Sequence, residues 1–335
     1  MALGALVLLA LGLLSITQGA AGLPAGDVLR VLASQLPLGG VESTVPATWQ
    51  RIVIDVRLPR ILGAAAVGAA LAYSGAAYQG VFRNPLAGPF LLGVASGAAL
   101  GAAIAIMSPL GRNVYGFGWE PVFAFVGGLA TVVLVYLISR SQGVIDNTTM
   151  ILAGVALSAV FSAATALLLL TGGDRARPIF GFLFGGFNAV SWVRLAWATP
   201  YLLTGAAIVA VHARVLNVLQ LDEEQASQLG VDVTRTKLIV LAGASLMATA
   251  AVALAGIIGF VGLVVPHVVR MLAGRDHRRL LPLTALWGGS FLIVVDLFAR
   301  TALAPQEVPV GIVTSLIGGP FFLWLLHRQR SGGSW

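Results

Sequence analysis

The sequence predicts an all-α membrane protein that crosses the bilayer with about ten helices. Three observations support this fold class: 58% of the 335 residues are hydrophobic, only 10% are charged, and the mean hydropathy is +0.93. A soluble domain typically carries charge on about a quarter of its residues. A chain with so few charges cannot cover a water-exposed surface, which excludes an ordinary soluble enzyme, and so apolar a chain is not disordered.

The predicted spans are the apolar runs long enough to form membrane helices. A span needs roughly 20 apolar residues in a helix, because lipid offers no hydrogen-bond partner to the backbone. One run is short and is interrupted by Gly259, Gly262 and Pro266. In chain order the spans are 2–22, 61–82, 91–109, 121–139, 149–171, 195–213, 238–257, 259–273, 281–299 and 308–326.

The first run has one alternative interpretation, a cleaved signal peptide. It lacks a basic segment before the apolar run and stays apolar for longer than such a peptide requires, so we expect a membrane span. We expect residues 1–335 to form one transmembrane domain, because no stretch between the spans has the length or composition of a soluble domain.

Two connections contain short segments with a structure of their own. Residues 176–187 are apolar but too short to cross the bilayer, which favours a half-helix at one membrane face. Residues 221–232, within the connection 215–237, carry three acidic residues at 222–224 and turn at Gly230. This pattern predicts a short polar helix that ends at a glycine cap.

Arginine placement predicts the orientation. Arg275, Arg278 and Arg279 share one short loop, and Arg328 and Arg330 follow the last span. Because cytoplasmic loops are enriched in basic residues, we expect this side and both termini to be cytoplasmic. The topology then places eleven basic residues inside and nine outside, so the nine outer ones call for another explanation.

Several functions are excluded by missing residues. Lys237 is the only lysine and lies between Thr236 and Leu238, so the chain contains no P-loop for ATP. There is no cysteine, hence no disulfide or thiolate metal site. The pI of about 10.7 reflects a shortage of carboxylates more than a surplus of bases, so we expect no nucleic-acid partner.

The spans contain one carboxylate, Asp296, four residues before Arg300. We expect an ion pair between them at a helix end rather than a proton relay. Without a coupling carboxylate or a nucleotide site, uphill transport requires another chain. The four histidines lack ligand-like spacing, so we expect structural roles and no metal site, and the glycine repeats 93, 97, 101 and 256, 259, 262 are typical of close helix packing.

Several ordered motifs resemble the FecCD family of permeases, the membrane subunits of type II ABC importers for iron chelates, haem and cobalamin. The resemblance runs from about residue 50 to the C-terminus. The motifs lie at residues 57–63 (RLPRILG), 74–89 (SGAAYQGVFRNPLAGP), 91–97, 226–231, 253–270 (ALAGIIGFVGLVVPHVVR), 274–282 (GRDHRRLLP), 296–300 (DLFAR) and 307–322.

The resemblance implies a ten-helix subunit that pairs with a second copy of itself, two cytoplasmic ATPase subunits and a periplasmic binding protein. The chain itself is then not an enzyme and holds no cofactor, since ATP and Mg²⁺ bind to the ATPase. Carried onto matching positions, the family's functional residues are the following: Arg57, Arg60 and Arg300 dock the binding protein; Asn84, Leu86, Asn147 and Thr148 form the cytoplasmic gate; Ala226, Leu229 and Gly230 couple to the ATPase.

The family's periplasmic gate corresponds to about 150–187, with the gate helix at 176–187. Within that mouth, Arg175 and Arg177 either guide an anionic substrate or anchor the loop at lipid headgroups. The sequence thus predicts an importer permease of a bacterial inner membrane for an iron compound, haem before a ferric siderophore. The alternatives are a cobalamin importer of the same family and an ion-coupled secondary transporter.

Overall fold

The computed structural model describes residues 1–19, 22–35, 45–110, 117–141 and 144–330. Within these ranges the chain folds into an all-α bundle, which confirms the predicted fold class. The ten apolar helices are α1 (Ala2–Thr17), α4 (Leu58–Val81), α5 (Val94–Met107), α6 (Trp119–Ser139), α7 (Asn147–Thr171), α9 (Trp192–Val211), α12 (Val233–Ala255), α13 (Val261–Ala273), α14 (His277–Thr301) and α15 (Val310–Arg330).

Six of these helices are long and apolar enough to cross a membrane, and α1, α5, α13 and α15 are shorter apolar helices. Each of the ten overlaps a predicted span. The remaining helices are short: α2 (Ala25–Ser34), α3 (Ala47–Arg51), α8 (Ala176–Phe184), α10 (Ala213–Val218) and α11 (Glu223–Gln228). Residues Arg140–Ser141 pair antiparallel with Val144–Ile145.

The second span begins earlier than predicted. Helix α3, a π-helical segment (Ile52–Arg57) and α4 form one continuous helix over Ala47–Val81. The π-helical segment ends two residues before Pro59. Proline lacks an N–H and crowds the carbonyl four residues earlier, so a wider turn at this point keeps the helix continuous.

Glycine lets the helices around α4 approach to backbone contact. A Cβ on Gly68 would lie 2.2 Å from the carbonyl oxygen of Gly288 in α14, and one on Gly75 would lie 1.7 Å from that of Gly262 in α13. No residue with a side chain fits at these positions. This confirms the packing interpretation for Gly262. Between α5 and α6, a Cβ on Gly97 would lie 2.5 Å from the carbonyl oxygen of Gly127.

The bundle has two ends, which we name after a residue at each. The His277 end carries the connections 82–93, 212–232 and 274–276, and the Arg60 end carries 172–191, 256–260 and 302–309. Three helices start at the His277 end with aspartate caps, where the carboxylates of Asp146, Asp232 and Asp276 accept hydrogen bonds from the first-turn N–H groups.

Candidate functional site

A buried ion-pair cluster lies at the Arg60 end. The Arg60 guanidinium donates hydrogen bonds to both carboxylate oxygens of Asp296, at 2.8–3.2 Å, and to both of Glu307, at 3.0 Å. Asp296 is 1% exposed and Arg60 is 9% exposed. The planar fork of arginine suits two such carboxylates. This cluster joins α4, α14 and the connection before α15.

Arg300 and Arg57 extend the cluster to the first helix. Arg300 forms the predicted ion pair with Asp296, with Nε 3.1 Å from Oδ2, and its Nη2 donates to the hydroxyl of Ser15 at 2.7 Å. Arg57 donates to the carbonyl of Ile16 at 2.8 Å. The structure therefore brings the three predicted docking arginines together, and all three are buried and bonded within the chain.

Two adjoining cavities open beside this cluster. They measure about 480 and 310 Å³ and share Glu120, Pro178 and Arg194, while Arg60 and Glu307 line the smaller one. The carboxylate of Glu120 lies 3.7 Å from Arg194. Arg175 lines the larger cavity and donates to the carbonyl of Met107 at 3.0 Å. Arg177 is exposed on α8.

The predicted half-helix at 176–187 is present as α8, which ends at Phe184. Gly185 stops it with a φ of +63°, a conformation that favours glycine. Backbone hydrogen bonds then tie this end to its neighbours: Ile257 donates to Phe182, Gly186 donates to Ala255, and Val310 donates to Gly185. The C-terminal end of α8 is thus hydrogen-bonded to the break between α12 and α13 and to the start of α15.

The predicted coupling segment forms two short helices at the His277 end, α10 and α11. Gly230 caps α11 with a φ of +82°, and the N–H groups of Gly230 and Val231 donate to the carbonyls of Ser227 and Ala226. This is a Schellman cap, so the predicted glycine cap is confirmed. Ala226 is fully buried, whereas the apolar side chain of Leu229 is 66% exposed.

Polar contacts attach this segment to the bundle. Arg83 donates to Leu221 and Asp222, and Gln220 donates to the carbonyl of Gly80 at 3.0 Å. Asn217 donates from its amide nitrogen to Asp276 at 2.7 Å. That hydrogen bond, together with the N–H of Arg278, lowers the pKa of the Asp276 carboxyl. Spacing along the chain does not predict these contacts, because each joins residues that are 59 to 140 positions apart.

The four predicted gate residues lie at the same end in two local groups. Asn84 accepts the N–H of Leu86 at 2.9 Å, which forms a tight turn after α4. Asn147 accepts from the ammonium of Lys237 at 3.3 Å, and the N–H of Thr148 donates to Asp146. Hydrogen bonds from the Thr149 hydroxyl and N–H hold the pKa of Asp146 below its usual value.

The chain is similar to known transport proteins over most of its length. The model of the FecCD transport family matches residues 7–328. The cobalamin import system permease protein of Halobacterium salinarum is 46% identical over 309 residues, which cover 92% of this chain and 81% of that protein. The hemin transport system permease protein of Yersinia pestis is 44% identical over 290 residues, 86% of each chain.

A third curated relative has a different stated cargo. The molybdate import system permease protein of Haemophilus influenzae is 37% identical over 311 residues, 92% of this chain and 88% of that protein. Among solved structures, one described as an inward-facing metal-chelate type ABC transporter superimposes with a TM-score of 0.80 at 34% identity, covering 97% of both chains.

Proposed function

We infer cargo and partners from one premise: the chain belongs to the FecCD transport family and is a membrane-embedded ABC importer permease. We propose that it carries an iron compound across the inner membrane of a bacterium, haem in the first place and a ferric siderophore in the second. The observation that carries this proposal is the mouth at the Arg60 end, where Arg175 and Arg177 offer exposed guanidinium groups. Such groups pair with the carboxylates of haem and of many siderophores.

Cobalamin is the second candidate cargo. The relative named for cobalamin import is 46% identical and the relative named for hemin transport is 44% identical, so sequence similarity favours neither. Chemistry distinguishes them, because cobalamin carries amides where haem carries free propionates. A test on the arginines of the mouth therefore separates the two candidates.

The cargo experiment measures ATP-driven uptake by the complete importer in proteoliposomes, with haem and cobalamin as alternative substrates. We expect haem uptake to fall about tenfold in Arg175→Gln/Arg177→Gln, which corresponds to roughly 1.4 kcal/mol of lost interaction. The matched control is Arg30→Gln, a surface arginine at the same end. Uptake of cobalamin but not of haem would show that cobalamin is the cargo. Unchanged haem uptake by the double variant would show that the two arginines do not guide the substrate.

The proposed partners are a second copy of the chain, two cytoplasmic ATPase subunits that bind ATP and Mg²⁺, and a periplasmic binding protein. The His277 end would face the cytoplasm, with both termini, and the exposed Leu229 beside the cap of α11 supports an apolar contact with the ATPase. We propose Ala226, Leu229 and Gly230 as the coupling contact. At this end Asn84, Leu86, Asn147 and Thr148 would close the pathway.

The binding protein would dock at the Arg60 end. Its carboxylates would meet Arg57, Arg60 and Arg300, which are buried residues whose guanidinium groups are already bonded within the chain. Docking would then replace ion pairs within the chain by ion pairs with the binding protein. Glu307 is the outer carboxylate of the cluster, with a side chain 35% exposed, so it is the group that an incoming carboxylate would displace from Arg60.

A further inference from the structure

A polar cavity of about 680 Å³ lies at the His277 end, between α4, α13 and the start of α14. Three arginines line it, Arg83, Arg270 and Arg275, together with two histidines and two glutamines. Among the lining residues that the structure describes there is no aspartate or glutamate. Arg83 is paired with Asp222, so Arg270 and Arg275 supply the positive charge that no carboxylate among the described lining residues balances.

Two buried acceptors in the wall of this cavity have no hydrogen-bond partner among the described residues. Gln79 is 2% exposed, and its amide nitrogen donates to the carbonyl of Leu263, which leaves Oε1 unsatisfied. His277 is 1% exposed and also has an unsatisfied atom, Nε2. An unpaired buried polar atom destabilises the protein, so both positions favour a ligand that carries hydrogen-bond donors.

The hydrogen bonds of His277 determine what its free nitrogen can do. Asn217 donates from Nδ2 to Asp276, so its Oδ1 is the acceptor that faces Nδ1 of His277 at 2.8 Å. Nδ1 therefore carries the proton. In the neutral ring Nε2 is then an acceptor, because only one nitrogen is protonated. Like Gln79 Oε1, it requires a donor from the ligand.

The arginines of the cavity favour a ligand that also carries negative charge. The structure describes no ion pair for Arg270 or Arg275, which interact with each other as like charges. Arg83, in contrast, is bonded to Asp222. Apolar surface lies next to the cavity, since Met271 is 43% exposed and Leu272 is 82% exposed. These residues are the kind that contact acyl chains at a bilayer surface.

We propose that this cavity binds a hydroxylated phosphate group. Arg270 and Arg275 hold the phosphate oxygens, for which the arginine fork is suited, and the ligand's hydroxyl groups donate to Gln79 Oε1 and His277 Nε2. The chemistry is shared by two sources, the headgroup of phosphatidylglycerol and a soluble compound such as glycerol 3-phosphate. The proposal does not rest on the identity of the cargo.

The test uses the full-length chain purified in a neutral detergent, with binding followed by native mass spectrometry and by thermal stabilisation. The lipid arm adds phosphatidylglycerol or, as its comparison, phosphatidylcholine, which has a phosphate but no hydroxyl. The soluble arm adds glycerol 3-phosphate. We expect Arg275→Gln to weaken binding about tenfold, and the control Arg278→Gln, an exposed neighbour that does not line the cavity, to leave it unchanged.

A second variant probes the buried half of the site. A Cβ on Gly80 would lie 2.8 Å from Nε2 of His277, so Gly80→Ala should obstruct the acceptor and weaken binding without changing any charge. Binding of phosphatidylglycerol alone identifies a lipid site, and binding of glycerol 3-phosphate identifies a soluble ligand. Equal binding of phosphatidylcholine, equal binding by Arg275→Gln and wild type, or binding of neither probe at millimolar concentration would overturn the proposal.

Discussion

At the residue scale, Arg60 and Glu307 form the pair on which docking depends. Arg60 binds two carboxylates at once, but they differ in environment, since Asp296 is buried and the side chain of Glu307 is 35% exposed. Removing a buried partner such as Asp296 would leave an uncompensated charge at a cost of about 3–5 kcal/mol. Changing Glu307 is milder and leaves the buried pair intact.

We therefore predict that Glu307→Gln tightens association with the cognate binding protein. Glutamine keeps the size of the side chain but holds Arg60 less strongly, so an incoming carboxylate competes against a neutral group. The expected gain is about 0.5–1 kcal/mol, roughly two- to fivefold in Kd, and it should shrink as salt is raised. Binding is measured by surface plasmon resonance on the permease in nanodiscs.

The matched control for this prediction is Glu120→Gln, which changes a carboxylate paired with Arg194 at the same end but outside the cluster. It should leave the affinity unchanged. Weaker or unchanged binding by Glu307→Gln at low salt would show that Arg60 does not receive a carboxylate from the partner, and would assign the cluster a purely internal role.

At the element scale, Gly230 at the cap of α11 has open space around it but a backbone conformation that favours glycine. No atom lies within 4 Å of a Cβ placed on Gly230, yet its φ of +82° costs a residue with a side chain roughly 1–2 kcal/mol. We predict that Gly230→Val shifts the end of α11 and lowers cargo uptake per ATP hydrolysed severalfold. Uptake and ATPase activity are measured together in proteoliposomes.

The control for the cap is Gly26→Val, because Gly26 also has open space but lacks the positive φ. This variant tests whether a larger side chain in open space is enough to lower coupled uptake. Coupled uptake retained by Gly230→Val would contradict the assignment of this segment to the ATPase contact.

The elements themselves were largely predictable from the sequence. Apolar runs located every long helix, and acidic residues followed by Gly230 located α11. The early start of the second span at Ala47 was not predicted, because Arg51, Asp55 and Arg57 interrupt the apolar pattern there. Their polar groups lie near the Arg60 end, where a membrane helix continues beyond the apolar core.

The candidate sites were less predictable than the helices. Local spacing was enough to predict the Asp296–Arg300 ion pair, which lies within one helix. The hydrogen bond between Arg60 and Glu307 joins residues 247 positions apart, and no periodicity connects them. The same holds for Asn217 with Asp276 and for the cavity at Gln79, which only the tertiary packing assembles.

At the scale of the whole molecule, the two ends should face opposite sides of the membrane. Because the chain contains no cysteine, a single introduced cysteine reports its own side. We predict that Ser227→Cys, exposed on α11, reacts with a membrane-impermeant maleimide only after the inner membrane is opened, whereas Asp174→Cys reacts in spheroplasts with an intact membrane. The reverse pattern would invert the topology and move the proposed ATPase contact to the wrong side.

The glycine contacts of α4 also constrain how such a protein moves. Where the backbone of α4 touches α13 and α14 at Gly75 and Gly68, there is no side chain that can change rotamer, so the three helices lack the usual means of sliding past one another. We therefore expect α4, α13 and α14 to move as one rigid unit. Helix α7 is packed along little of its length within the chain, whereas backbone hydrogen bonds hold the C-terminal end of α8 in place. Conformational change during transport should therefore displace α7 relative to this rigid unit.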